Sequence, residues 1–76
     1  MIFLIDYDRL TGRIVSRRDF SDVDQADAEK ARLDLELDLR RTGIVREVVL
    51  LQAVNEQALR RTHRRYFETL QQLSTG

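Results

Sequence analysis

Two β-like runs open the chain so close together that they must pair. Met1 to Arg9 is rich in β-branched and aromatic residues, and Arg13 to Phe20 resumes that pattern after Thr11-Gly12. A break this short makes a hairpin, with Gly12 able to take the positive φ that tight loops need. Strands are expected over about 2–9 and 13–20, and everything after them has to dock on that hairpin.

The next segment carries helix signals. Ser21 or Asp24 is placed to cap a helix over 25–42, and Gly43 follows the basic pair Arg40-Arg41 as a left-handed stop. Leu33, Leu35, Leu37 and Leu39 alternate with other residues, which alone is strand periodicity. Helix is preferred because Leu, Glu and Arg favour it and no β-branched residue interrupts the segment after Val23 until Thr42. A third strand is expected over 46–54, centred on Val48-Val49-Leu50-Leu51. Asn55 then caps a last helix over 56–73, with Glu56 and Gln57 in its first turn.

A right-handed crossover through the first helix makes strands two and three parallel, with the most apolar strand, the first, between them. The expected fold is α+β, a two-layer β-β-α-β-α domain spanning 1–76. Its three-stranded sheet has order 2-1-3, and both helices lie on one face. This arrangement is common to many folds and carries no function with it.

Composition limits what such a domain can do. A chain of 76 residues has much surface for its core, and without cysteine it has neither disulfides nor thiolate-bound zinc. Oligomerisation is the remaining route to extra burial. The Ile2-Phe3-Leu4-Ile5 run is short, lacks preceding basic residues and ends at Asp6, so it does not read as a signal peptide. No run reaches bilayer length, and the expected location is cytoplasmic, with no membrane partner. Formal net charge is zero, with the middle of the chain acidic and the end basic.

Catalytic and cofactor signals are weak. Ser16, Ser21 and Ser74 sit in no glycine-rich elbow and beside no histidine, and three isolated glycines make no phosphate loop. Asp6 and Asp8 share a strand face, where paired carboxylates can hold a cation or a proton. The expectation here is plainer: Asp6 on a solvent-exposed face and Asp8 opening the turn. His63, the only histidine, falls within a stripe of Leu59, Thr62, Tyr66, Leu70 and Leu73, and reads as a packed residue, not a ligand. No catalytic residue, metal site or cofactor is expected.

Two surfaces remain. Arg60, Arg61, Arg64 and Arg65 gather on one side of the expected last helix, where they suit phosphates or carboxylates of a nucleic acid or another acidic partner. Some of them are also placed to pair with Asp27, Asp34 and Asp38. The stronger signal is surplus apolar surface. Ala28, Ala31, Leu35 and Leu39 form one stripe of the first helix, and Ala26, Leu33 and Leu37 form another. With Phe3, Ile5, Tyr7, Val49, Leu51 and Ala53 facing the helices, Ile2, Leu4, Val15, Val48 and Leu50 point away, rimmed by Asp6, Arg17 and Arg46. That face is expected to be an oligomer interface in a non-enzymatic homodimer or protein-interaction domain, with nucleic-acid binding through the arginines as the alternative.

Overall fold

The computed structural model describes residues 1–67 and has an α+β fold, with a three-stranded antiparallel sheet in the order β2-β1-β3. Strand β1 (Ile2–Asp8) pairs with β2 (Arg13–Phe20) on one side and β3 (Glu47–Gln52) on the other. The hairpin loop is tied by Asp8. Its side-chain carboxylate accepts from Leu10 N at 2.9 Å, its carbonyl accepts from Gly12 N at 2.8 Å, and Gly12 takes φ 70°. A bulge between Asp6 and Tyr7 leaves Val15 without a direct partner on β1.

Helix α1 (Gln25–Thr42) follows a 3-10 turn at Asp22–Asp24. Asp24 occupies its N-cap position but makes no side-chain cap bond, and Ser21 makes none to the preceding turn. The C-terminus is closed more firmly. Gly43 has φ 74° and donates to Arg40 O at 3.2 Å, while Ile44 N donates to Leu39 O at 2.9 Å. Those two bonds make a Schellman stop, and the left-handed residue it needs is the reason for glycine there. Helix α2 (Glu56–Thr62) starts at Asn55, whose side-chain oxygen accepts from Ala58 N at 2.8 Å.

Here the backbone departs from the expected long helix. At His63 it leaves α2 with φ −125° and ψ 50°, and a 3-10 turn forms at Arg64–Tyr66. The expected continuation through Leu70 and Leu73 lies outside the described residues.

Layering also differs from the expectation of two helices on one face. Every residue of β1 from Ile2 to Tyr7 is buried, so both faces of the central strand are covered. Phe3, Ile5 and Tyr7 cluster with Leu59 of α2 and with Tyr66, flanked by Ile14, Val49 and Leu51. On the opposite face Leu4 meets Ala31 and Leu35 of α1 along a groove, and Val48 shares a second groove with Leu39. Thus α1 covers one face, and α2 with the Tyr66 turn covers the other. A strand apolar at consecutive positions needs this double cover.

Candidate functional site

The face expected to pair with another copy is therefore the seat of α1. Ile2 and Leu4 are buried within the chain, Val48 and Leu50 are half-buried, and Val15, displaced by the bulge, is exposed. Asp6 is likewise not solvent-exposed. It is 2% exposed and lies 2.9 Å from Arg46 Nε. The two atoms approach without hydrogen-bond alignment, and among the described residues neither has another hydrogen-bond partner. Charge attraction at close range holds this pair beside α1.

The four arginines do not share one helix face, because α2 ends at Thr62. Arg60 donates to Glu56 at 3.1 Å and lies over the Phe67 ring at 4.8 Å. Arg65 pairs with Glu47 of β3 and covers the Tyr66 ring at 4.6 Å. Arg61 and Arg64 are exposed. The hydrogen bond from Arg65, reinforced by Tyr66, holds the Glu47 carboxyl below the usual glutamate range. Burial, together with the nearby Glu47, pushes the Tyr66 phenol up. Glu56 is lowered by Arg17 and then Arg60. These pairs tie the segment after β3 back to the sheet, and they engage Arg60 and Arg65 internally.

His63 stands half-buried at the junction between α2 and the 3-10 turn, donating its backbone N–H to Leu59 O at 2.9 Å. Thr62 of the same expected stripe is exposed, and its hydroxyl donates to Ala58 O at 3.0 Å. Among the described residues no group of three or more His, Cys, Asp or Glu is arranged to hold a metal ion. No helix among them is long and apolar enough to cross a membrane.

The leucine stripe Leu33/Leu37 is not covered by α2, which lies across the sheet. Leu33 is 52% exposed and Leu37 51%. A second uncovered feature is the outer edge of β3. Met1 N donates to Ala53 O at 2.8 Å and Ala53 N to Met1 O at 3.1 Å, so this is a reciprocally bonded pair. In an antiparallel ladder such pairs recur every second residue, and the register beyond is unbroken. Leu51, Val49 and Glu47 therefore bond to Phe3, Ile5 and Tyr7. Val48, Leu50 and Gln52 turn their N–H and C=O groups outward, where no further strand lies among the described residues.

The two sheet edges differ sharply. Strand β2 carries Arg13, Arg17, Arg18 and Asp19 and has the bulge, all of which discourage pairing with another chain. Strand β3 has four consecutive aliphatic residues, Val48 to Leu51, all only half-buried, with no bulge against β1 and no proline. The sequence reading placed Val48 and Leu50 at an interface through their side-chain face. It missed that their backbone is the uncovered part, although an uncharged run on an outer strand of a 2-1-3 sheet was the available signal.

Comparison with family models, curated proteins and solved structures found no match to this chain.

Proposed function

We propose that this is a non-catalytic protein-interaction domain that works by accepting an extended strand on the outer edge of β3. The observation that carries the reading is the outward row of backbone groups at Val48, Leu50 and Gln52, on a strand whose centre, Val48 to Leu51, is uncharged and aliphatic, opposite a charged, bulged β2. Strand addition draws affinity from main-chain hydrogen bonds and selectivity from alternate side chains. Here the added side chains would extend two half-built layers, one beside α1 with Val48 and Leu50, the other beside Val49 and Leu51. The absence of cysteine suits work in the reducing cytoplasm.

The test is a nuclear magnetic resonance titration with a synthetic strand peptide of alternating valine and threonine. Amide shifts should concentrate at Val48, Leu50 and Gln52. They should be lost in Gln52→Pro, which removes an outward donor at an exposed strand end without touching the ladder to β1. Shifts confined to Leu33 and Leu37, or to the segment Arg60–Arg65, would contradict the reading.

A further inference from the structure

The accepting edge is self-complementary in both its backbone and the charges beside it. A twofold axis normal to a sheet brings two identical edge strands together antiparallel, and residues opposite each other must then share a face. The symmetric register has to be centred on a residue, not between two.

Centring on Leu50 sets Leu50 opposite its own copy and Val48 opposite Gln52 of the other chain. All three residues with outward backbone groups are then used. The neighbouring pairs are Val49 with Leu51 and Glu47 with Ala53, so the two Glu47 carboxylates stay apart. Centring on Val49 instead sets Glu47 against Leu51, a poorer match of charge to aliphatic surface.

Helix α1 supplies an independent observation. Its flank toward β2 carries Asp34 and Asp38, which line a groove with Ser16 and Arg18. Its flank toward β3 carries Glu36 and Arg40, which line the groove with Val48. At 100° per residue, Glu29 and Arg32 belong to this second flank, and Arg32 already pairs with Glu36 at 3.2 Å. Along the helix the flank reads Glu29, Arg32, Glu36, Arg40, negative and positive in turn. Reversed, it complements itself, Glu29 facing Arg40 and Arg32 facing Glu36.

The midpoint of that series falls next to Leu35. Leu35 borders Leu4, and Leu4 is paired with Leu50. The axis that centres the strands on Leu50 therefore passes at the level that also centres the helix charges.

We propose that the strand accepted by β3 is β3 of a second copy of this chain, antiparallel and centred on Leu50, with the two α1 helices side by side on one face of a continuous six-stranded sheet. This rests on the strand-accepting reading of β3 and names its occupant.

Sedimentation velocity on the unmodified chain, at concentrations up to the high micromolar range, should report a dimer. The lack of native cysteine makes the register readable. In Leu50→Cys the two introduced residues sit opposite each other at about 5.5 Å between Cα atoms, within disulfide range, and should cross-link on mild oxidation. In Gln52→Cys the copies lie about 14 Å apart and should not. Since Leu50 is half-buried, Glu36→Arg offers a test that does not disturb the sheet. It should weaken the dimer about tenfold, and adding Arg32→Glu should restore it.

A monomer throughout the concentration range overturns the self-pairing, while peptide shifts at Val48, Leu50 and Gln52 would keep strand acceptance standing. A dimer that cross-links through Gln52→Cys as readily as through Leu50→Cys overturns the register. A dimer that survives Gln52→Pro unchanged overturns both the self-pairing and the strand-accepting edge.

Discussion

The ring of Tyr66 meets that of Tyr7 edge to face, with centroids 5.0 Å apart and planes at 84°, and Tyr7 Oη donates to the carbonyl of Arg65 at 3.2 Å. This contact brings the 3-10 turn after α2 down onto the central strand. Tyr66→Ala should cost about 3–5 kcal/mol, as for other buried aromatics. Tyr7→Phe, which loses only the hydroxyl bond, should cost about 1 kcal/mol. Denaturant unfolding monitored by circular dichroism checks both, and equal costs would mean the ring contact is not what holds the turn.

Asp6 and Arg46 form a pair in which the acid is buried and the base half-buried, at side-chain exposures of 2% and 22%. Arg46→Met alone leaves the Asp6 charge beside α1 and should destabilise by about 3 kcal/mol. Asp6→Leu together with Arg46→Met should recover most of that loss. A double-mutant cycle showing no coupling would contradict a structural role for the pair.

Gly43 holds a left-handed conformation with nothing within 4 Å of where a Cβ would sit. Gly43→Ala should therefore lose about 1 kcal/mol from backbone strain alone. The corresponding fall in thermal midpoint is about 4–8 °C for a domain of this size. An unchanged midpoint would show that α1 does not depend on its Schellman stop.

The pH response follows from Glu47 and Glu56. Their folded pKa values are depressed, by Arg65 first and Arg17 first respectively. Their contribution is present above the ordinary glutamate range and is lost as pH falls through the lowered folded values. Thermal midpoints should drop across about pH 5 to 3, and the drop should be shallower in Arg65→Gln and Arg17→Gln. Tyr66 has the opposite sign. Its raised phenol contributes below the ordinary tyrosine value and loses that contribution as pH rises through the folded one. A midpoint flat from acid to alkaline pH would contradict both effects.

Local signals in the chain made much of this fold legible. Gly12, Gly43 and Asn55 mark the hairpin, the end of α1 and the start of α2. The alternating leucines also fall into place on a helix, Leu35 and Leu39 toward the sheet and Leu33 and Leu37 away from it. The assignment of helices to faces was not legible. Periodicity shows that both sides of β1 are apolar, but it does not show which helix covers which side. A two-layer arrangement leaves the even-numbered face open, whereas α1 covers it in the fold.

Asp6 was misplaced for a related reason. Its partner Arg46 lies forty residues away in sequence, and only the strand order β2-β1-β3 brings it alongside. The helical stripe from Leu59 through Tyr66 hid the break at His63, because Leu59 and Tyr66 do face the same core across that break. For the candidate site, side-chain alternation pointed to Val48 and Leu50. Which backbone groups face outward depends on ladder phase, which the reciprocal bonds of Met1 and Ala53 set and the sequence does not encode locally.

The central claim, that the outer backbone of β3 pairs with β3 of a second copy, is tested most directly by amide hydrogen exchange at Leu50. Its N–H points away from β1, whereas those of Val49 and Leu51 bond to it. Strand pairing predicts that Leu50 becomes as protected as those two neighbours, with protection rising as protein concentration rises. Rapid exchange at Leu50 at every concentration, beside protected Val49 and Leu51, would contradict it.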